Sequence, residues 1–537
     1  MPNYAILPKP VELQPQAGWF AVTHETILIA DNANQGNAVY FRDFLAPAMG
    51  VSLSILADPD FQGKAIILKL DPALQNLGPE GYALSVQPQQ IQIRAAHPAG
   101  VFYGLQTLRQ LLPIEIENRI PKPGISWQIP CCQISDQPRF PWRGYMLDEG
   151  RHFQGKETVL QTLDLMALQK LNIFHWHLTE DQGWRIEIKR YPRLIDVGSH
   201  RPGTAQGLGD MLRGTHNGQP HAGYYTQEEI HQIVAYAAER HITIVPEIEI
   251  PGHCRAVIAA YPELSCNAAD VQVATGPGIY KEIYCPGKET TFEFLQAVLD
   301  EIMALFPSEI IHIGGDEAPK ARWKECPDCQ RRIHTEGLKD EHDLQTYFTN
   351  RIAAYLKSHG RQVMGWNEIL AGELDSEAIV QYWMRNKTGL LAAIKNGQKV
   401  VNSAYFDTYL DHSYALTPLK RAYQFEPVFS ELDPESAANI LGLEAPLWTE
   451  WVPSRARLNY QTYPRLTALA EVGWTARERR AYSDFRARLT YFRPRLDLLG
   501  VRYAPESAWA PDLLRRALGI FTIFQPQTGI THETHEA

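Results

Sequence analysis

Two acidic side chains stand next to each other in the stretch EIIHIGGDEAPK. An apolar run leads to two glycines, and Asp316 and Glu317 follow them directly. A carboxyl group at the end of a buried strand can donate or accept a proton during a reaction. Adjacent acids followed by Pro319 also suit the start of a helix, but a helix start does not account for the two glycines, which let another group approach the backbone closely. The pair is therefore our first candidate for catalysis.

Polar, charged or tryptophan side chains follow each of eight predicted strands. A lone arginine most often forms a surface salt bridge, and a lone tryptophan most often belongs to the core. Eight such strand ends together indicate one shared site. The tryptophans favour a sugar, because an indole face packs on the apolar C–H surface of a sugar ring. In chain order the strand ends supply Arg151, Glu180 and Asp181, Glu249 and His253, Asp316 and Glu317, Trp366, Trp383, Tyr409 and Asp411, and Trp448 and Glu450.

The stretch HWHLTED offers a different chemistry. His175, His177 and Asp181 share one face of a predicted strand. A His-x-His pair on a barrel strand, with His253 and Asp316 as further ligands, is typical of a zinc hydrolase. Both histidines lie several residues before the predicted end of the strand, however. We therefore favour a hydrogen-bonded layer inside the barrel over a metal site.

Strand-like and helix-like segments alternate over residues 136–490. This alternation predicts an α/β fold, a (β/α)8 TIM barrel whose strands are nearly continuous apolar runs because both faces of the sheet are covered. Active-site residues of such a barrel lie at the C-terminal ends of its strands, which is where the candidates above fall. Capping boxes at Thr226 and Glu229 and at Thr290 and Glu293 predict where two of the helices begin.

The segments before and after the barrel have other patterns. Residues 1–135 are predicted to form a small N-terminal α+β domain, because GYALSVQPQQIQIRAA alternates as a pair of strands does and residues 99–112 have helical periodicity. A loop rich in Pro and Gly is predicted over residues 113–130. Residues 491–537 are predicted to form a helical end and a polar tail.

The composition argues against several classes of partner. The 537 residues carry a net charge of −10, from 51 basic and 61 acidic side chains, without a long basic run, so we expect no nucleic-acid partner. No apolar run approaches the ~20 residues of a membrane span. The stretch MPNYAILPKPVELQPQ lacks a basic segment followed by an apolar one, so we expect a soluble protein, cytoplasmic unless a signal peptide was trimmed. The oligomeric state stays open.

Seven cysteines, an odd count, argue against a complete disulfide framework. Cys326 and Cys329 form a CxxC, which is half of a zinc site, and we favour a pair of free thiols in a turn. Cys266 and Cys285 flank a loop and could pair under oxidising conditions. Whether either pair forms a disulfide is left open by the sequence.

Several motifs resemble those of one enzyme family. PRFPWRGYMLDEGRHF, HWHLTEDQGWRIEIKRYPRL, VPEIEIPGH, HIGGDEAPK and LWTEW are similar, in order and spacing, to the β-N-acetylhexosaminidases of glycoside hydrolase family 20. GPEGYALSV and AGVFYGLQTLRQLL resemble the family's small N-terminal domain. The resemblance implies an exo-acting, retaining hydrolase that removes terminal β-linked N-acetylglucosamine or N-acetylgalactosamine from an oligosaccharide or glycoconjugate, with neither a cofactor nor a metal.

The resemblance also implies roles for individual residues. Glu317 matches the general acid/base, Asp316 matches the carboxylate that orients the 2-acetamido group, and Tyr409 matches the tyrosine that donates to the acetamido carbonyl. In this family the substrate supplies its own nucleophile, the acetamido oxygen, which closes to an oxazolinium ion. Two acids on one strand end then suffice. We expect an ionised Asp316 to favour the protonated form of Glu317.

Eight further positions match binding or supporting residues of the family. They are Trp366, Trp383 and Trp448 at the walls of the pocket, Arg151 at O3 and O4, Asp411 and Glu450 near O4 and O6, and Asp181 and His253 in a relay behind the acid. Glu180 departs from the second Asp of many members but leaves Asp181 in place. The stretch SAYFDTYLD also offers Tyr405 and Asp407, and the spacing from Ser403 favours the later pair.

Two other hypotheses remain beside this one. A non-catalytic sugar-binding relative is disfavoured by the presence of all three catalytic matches, and the zinc-dependent barrel hydrolase is less favoured still. The natural aglycone, the linkage and the preference between the gluco and galacto configurations are not indicated by the sequence.

Overall fold

The N-terminal part of the chain folds around a seven-stranded mixed sheet with the order β1-β7-β5-β6-β4-β2-β3. The computed structural model describes residues 4–58, 61, 63–268, 270–372, 374 and 376–512. The strands are β1 Glu12–Ala21, β2 Ile27–Ala30, β3 Ile55–Leu56, β4 Ala65–Leu70, β5 Tyr82–Val86, β6 Gln90–Ala95 and β7 Gln128–Asp136.

Two helices, α1 Gln35–Met49 and α2 Pro98–Leu111, accompany this sheet. Helix α2 packs on β5 and β6 and is buried along most of its length, so its predicted helical periodicity is confirmed. The predicted loop over residues 113–130 extends too far, because β7 already begins at Gln128 and pairs with both β1 and β5.

A closed eight-stranded barrel follows, and its strands run in the order β14-β15-β16-β17-β18-β19-β8-β9. Every neighbouring pair is parallel, which confirms the predicted (β/α)8 fold. The barrel strands are β8 Trp142–Asp148, β9 Ile173–His177, β14 Thr243–Glu247, β15 Ile310–His312, β16 Gln362–Trp366, β17 Ile379–Tyr382, β18 Lys399–Asn402 and β19 Ile440–Leu447. Two small hairpins extend the connection after β9: β10 Thr179–Glu180 with β11 Gly183–Trp184, and β12 His200–Arg201 with β13 His221–Ala222.

Helices surround the barrel and lie in its connections. They are α3 Lys156–Leu168, α4 Arg193–Asp196, α5 Leu208–Arg213, α6 Gln227–Ala238, α7 Arg255–Ala260, α8 Glu289–Leu305, α9 Ala321–Glu325, α10 Pro327–Thr335, α11 Glu341–Ser358, α12 Lys387–Lys395, α13 Tyr405–Thr408, α14 Leu419–Gln424, α15 Pro434–Ala437, α16 Arg455–Thr462, α17 Arg465–Trp474, α18 Tyr482–Leu498 and α19 Glu506–Trp509. Among the described residues, no helix is both long and apolar enough to cross a membrane. The predicted polar tail lies outside the described residues from position 513 onward.

One of the two predicted capping boxes is present. The Thr226 hydroxyl accepts from the Glu229 N–H, and the Glu229 carboxylate accepts from the Thr226 N–H at the start of α6. The predicted box at Thr290 and Glu293 is wrong. Helix α8 begins one residue before Thr290, so that threonine already lies in the first turn, and the cap position has no side-chain hydrogen bond.

Buried ion pairs join the sheet to the barrel. The Lys170 ammonium, just before β9, lies 2.9 Å from the carboxylate of Asp136 at the end of β7, and both side chains are fully buried. Tyr82 and Trp474 also donate hydrogen bonds to Asp136. Because the partners come from both parts of the chain, these contacts fix the N-terminal sheet against the barrel.

Candidate active site

A hydrogen-bonded layer fills the barrel directly below the site. His175 of β9 contacts Glu247 of β14 at 2.9 Å and Glu444 of β19 at 2.7 Å. His312 of β15 lies 2.7 Å from Glu247, and the indole N–H of Trp366 donates to the same carboxylate at 2.9 Å. The interpretation of His175 as part of an interior layer is therefore confirmed. One carboxylate ties together side chains from three other strands.

The strand that carries the two histidines ends earlier than predicted. Strand β9 stops at His177, and the next residues turn into the short hairpin of β10 and β11, so His177 lies at the end of the strand and not several residues before it. Its ring contacts Asp148 at 3.2 Å and Glu249 at 3.0 Å. His177 thus supports the carboxylates at the rim of the barrel.

The four residues of the zinc-hydrolase hypothesis do not form one cluster among the described residues. They fall into separate groups of neighbouring ligand atoms: His175 with Glu247 and His312, His177 with Glu247 and Glu249, and His253 with Asp316 and Glu317.

Asp316 and Glu317 follow β15 on a sharply turned backbone. Gly314 and Gly315 have φ values of 67° and 103°, and Glu317 itself has a φ of 45°. A side chain at Gly314 would place its Cβ 1.9 Å from a carboxylate oxygen of Glu249, so only glycine fits this left-handed position. The expected close approach to the backbone is confirmed. The two acids differ in exposure, at 13% for Asp316 and 34% for Glu317.

His253 links these acids to a second carboxylate group. Its Nδ1 lies 2.9 Å from Glu180 and 3.2 Å from Asp181, and its Nε2 lies 3.6 Å from Asp316 and 3.8 Å from Glu317. Burial would lower the pKa of His253, but the charges of Glu180 and Asp316 outweigh it and raise that pKa well above its ordinary value. The charged form of the ring is therefore favoured, and the ring lies between carboxylates.

The proton affinity of Asp316 differs from what we expected. Burial, followed by the charge of Glu249, raises the pKa of Asp316 well above its usual value, while His253 opposes the shift. The direction of this shift opposes the ionised form of Asp316 that we expected. A cation or an N–H donor placed beside Asp316 would favour its ionised form.

Arg151 follows β8 and is held by acceptors on two sides. Its guanidinium lies 3.0 Å from Glu180 and 3.5 Å from Asp148, donates to Gln182 at 3.2 Å, and sits 4.7 Å from the ring centre of Trp448. Burial would lower the pKa of Arg151, but Glu180 and Asp148 raise it well above its normal value. The arginine is thus a fixed positive charge at the edge of the site.

Aromatic rings form the walls. The ring centres of Trp366 and Trp448 lie 5.7 Å apart, and Tyr409 lies 6.4 Å from Trp448 and 6.5 Å from Trp383. Burial and the nearby Asp411 raise the pKa of Tyr409 well above its usual value, so its hydroxyl keeps its proton and can donate. The arrangement offers apolar faces and one hydroxyl donor.

Asp411 and Glu450 supply two further, half-buried acids, and Glu450 feels the charge of Arg151. Burial, with the charge of Glu450, raises the pKa of Asp411 to about 8. Burial also raises the pKa of Glu450, against the opposing charge of Arg151. The alternative acid Asp407 forms an ion pair with Arg421 at 2.9 Å instead. This geometry favours Asp411 over Asp407 as the site residue.

Sequence reasoning gave no role to four acids that the structure brings to the site, namely Asp148, Glu180, Glu249 and Glu368. Glu180 and Glu249 lie at predicted strand ends, and that position in the sequence could have indicated a role for them in the site. Glu368 accepts from the indole N–H of Trp383 at 3.0 Å. It also lines a cavity of about 380 Å³ together with Glu317 and Ile279. Glu368 follows Trp366 by two residues, so the end of that strand could have indicated it.

Comparison with known proteins finds relatives along nearly the whole chain. Residues 140–477 match the family described as glycosyl hydrolase family 20, catalytic domain, and residues 3–137 match domain 2 of that family. A beta-hexosaminidase from Porphyromonas gingivalis is 40% identical over 514 residues, which cover 93% of this chain. This chain spans 64% of that relative's length.

Two solved structures are similar over most of the chain. The exo beta-N-acetylglucosaminidase from Vibrio harveyi, in complex with N-acetylglucosamine, has a TM-score of 0.82 and 33% identity, covering 94% of this chain and 78% of that one. The beta-N-acetylhexosaminidase from Streptomyces coelicolor has a TM-score of 0.81 and 31% identity, covering 94% and 98% of the two chains.

Proposed function

The chain belongs to glycosyl hydrolase family 20, and we propose that it is an exo-acting β-N-acetylhexosaminidase. It removes terminal, non-reducing, β-linked N-acetylglucosamine or N-acetylgalactosamine from an oligosaccharide or glycoconjugate with retention of configuration. The observation that carries the proposal is the paired carboxyl groups of Asp316 and Glu317, held beside His253 and next to a pocket of aromatic rings. The similarity to a protein whose structure holds N-acetylglucosamine supports the choice of sugar.

The pocket binds the terminal sugar by its hydroxyls, its acetamido group and its apolar face. Arg151 donates to O3 and O4, while Asp411 and Glu450 accept from hydroxyls near O4 and O6. Trp366, Trp383 and Trp448 enclose the ring and the acetamide methyl. Each charged hydrogen bond of this kind contributes roughly 1.5–3 kcal/mol.

The reaction begins when Glu317 donates its proton to the glycosidic oxygen. The acetamido oxygen attacks C1 from the opposite face, the bond from C1 to the leaving oxygen breaks, and an oxazolinium ion forms. Asp316 accepts the acetamide N–H and offsets the positive charge, which favours the ionised form of Asp316 despite its burial. Tyr409 donates to the acetamido oxygen and holds it below C1.

The second step returns the proton. Glu317, now ionised, takes a proton from water, and the water oxygen attacks C1 from the side that the leaving group vacated. The oxazolinium ring opens, so the configuration at C1 is retained after two inversions. Holding the acetamide below C1 supplies proximity, which can lower the barrier by several kcal/mol.

A pair of substrates that differ only at C2 tests this proposal. We expect rapid hydrolysis of an aryl N-acetyl-β-glucosaminide and almost none of the matching β-glucoside, which keeps the leaving group but lacks the internal nucleophile. Comparable kcat values on the two substrates, or a sugar trapped covalently on a carboxylate, would contradict the substrate-assisted mechanism.

The acid is tested in the same assay with Glu317→Gln. Rates on a disaccharide with a poor leaving group should fall by about 10²–10⁴-fold, and rates on an activated aryl glycoside by much less, because only the former needs the proton. Glu309→Gln is the matched control, since Glu309 is exposed and directly precedes β15, at the end away from the site. Equal losses on both substrates would exclude Glu317 as the acid.

A further inference from the structure

Four of the seven cysteines converge on one point of the molecule. The sulfur atoms of Cys266, Cys285, Cys326 and Cys329 all lie within 4.8 Å of one another. Three pairs are separated by 3.5 Å, 3.7 Å and 3.8 Å. Three of the four side chains are buried and Cys266 is half-buried. None of them belongs to the ligand groups that contain Asp316 or Glu317.

Two barrel connections bring these cysteines together. Cys266 and Cys285 each follow a residue of the antiparallel bridge between Ser265 and Tyr284, in the connection after β14. Cys326 and Cys329 lie at the start of α10, in the connection after β15. The two segments touch through their backbones, because a Cβ at Gly287 would lie 2.4 Å from the Cys329 nitrogen.

The separations fit a tetrahedral metal site better than disulfides. A zinc ion bound by four thiolates at about 2.3 Å gives sulfur–sulfur edges of about 3.8 Å in a tetrahedron. A disulfide requires a sulfur–sulfur distance of about 2.05 Å. Apolar packing would bury thiols singly, as it does for Cys254 before α7, and does not require four of them to face one another. An all-thiolate tetrahedral set is typical of structural zinc.

We propose that Cys266, Cys285, Cys326 and Cys329 bind one structural Zn²⁺ ion. The ion joins the connection after β14 to the connection after β15. The CxxC and the pair flanking the loop are then two halves of one site, as in zinc ribbons where two cysteine pairs come from separate segments. The metal takes no part in the reaction proposed above.

Neighbouring contacts show what the metal would hold in place. The indole N–H of Trp323 donates to the Tyr284 carbonyl at 2.9 Å, and Arg322 pairs with Glu282 at 2.7 Å, so the two connections also meet beside the cysteines. Further along the first connection, Ile279 lines the cavity that contains Glu317. The four cysteines therefore lie in the two connections that contribute Ile279 and Glu317 to the lining of this cavity.

The metal content of the full chain tests the assignment. Protein expressed in medium containing zinc and purified without chelators should hold about one zinc ion per chain by elemental mass spectrometry. Cys329→Ser should reduce the zinc content to background. Cys131→Ser should leave it unchanged, because Cys131 is equally buried but lies on β7, outside the cluster.

A measurement on the unmodified protein covers the case in which Cys329→Ser does not fold. Titrating the native protein with an organomercurial that captures thiolates should release zinc to a coloured chelator, with full release at four equivalents of reagent. The proposal would be overturned if the chains carried no zinc. Intact mass would then show whether the four cysteines are free thiols or form two disulfides. Iron in place of zinc would overturn the choice of metal.

Discussion

At the scale of residues, the site is organised by which carboxyl groups are buried together. Asp316 and Glu317 are neighbours in sequence and follow the left-handed turn at Gly314 and Gly315, yet Asp316 is more deeply buried than Glu317. His253 lies near both acids, and the charge of Glu180 favours the protonated form of this histidine. A positive charge on this histidine favours the ionised form of Asp316 and so opposes burial and Glu249, which raise the pKa of Asp316.

The pH dependence of activity should report this coupling. Asp316 must be ionised to accept the acetamide N–H, so kcat/KM should be lost as the pH falls through its raised pKa. His253→Ala removes the positive charge that lowers the pKa of Asp316, so the acid limb of kcat/KM should move to higher pH.

A histidine on the surface provides the control for that profile. His359→Ala removes an exposed ring and should leave the acid limb where it is. An acid limb that moves to lower pH in His253→Ala, or does not move, would contradict the role given to His253.

At the scale of elements, the barrel strands are joined by one interior carboxylate. Glu247 of β14 is completely buried and is bonded to His175, His312 and Trp366, which come from three other strands. Burial would lower the pKa of His175, but Glu444 and Glu247 raise it to about 9. The layer is therefore charged at neutral pH and depends on Glu247 for balance.

Removing that carboxylate should destabilise the barrel strongly. Glu247→Ala leaves two histidines and an indole N–H without their common partner, and we expect the free energy of unfolding in urea to fall by about 3–5 kcal/mol. Glu309→Ala, at an exposed position directly before β15, should change it by less than about 0.5 kcal/mol. Equal effects of the two variants would show that the layer contributes nothing beyond local packing.

At the scale of the whole molecule, the N-terminal sheet and the barrel share buried charges. Lys170 belongs to the barrel and Asp136 to the end of the sheet, and the Lys170 ammonium also lies 4.3 Å from the ring centre of Trp474. Arg143 of β8 and Glu80 form a second pair between the two parts at 2.7 Å. Separating the N-terminal sheet from the barrel would leave these charged side chains without their ion-pair partners.

Breaking the first of these pairs tests the coupling between the parts. Lys170→Ala leaves Asp136 buried without its counter-charge, so the free energy of unfolding should fall by about 3–5 kcal/mol. Lys69→Ala is the control, because Lys69 is exposed on β4 of the same sheet and should have little effect. An undiminished stability of Lys170→Ala would refute the view that this pair fixes the sheet to the barrel.

The sequence by itself determined the barrel fold and the positions along the chain of the candidate site residues. The alternation of apolar strands and amphipathic helices is a local property of the sequence. The residues that directly follow each predicted strand are the ones expected at the C-terminal rim of the barrel. Arg151, His253, Asp316, Trp366 and Trp448 could therefore be assigned to one place before any contact was known. The helix start at Thr226 was predicted for the same reason, since both members of its capping box lie within one turn.

Only the tertiary structure decided which of these groups meet and how they ionise. Cys266 and Cys329 lie 63 residues apart, and nothing local to either one indicates that their sulfur atoms approach to 3.8 Å. The role of Glu180 and the raised pKa of Asp316 likewise depend on neighbours from other strands. The physical reason is that burial and charge act through space, and closure of the barrel sets those distances, whereas the periodicity of the chain sets only the elements.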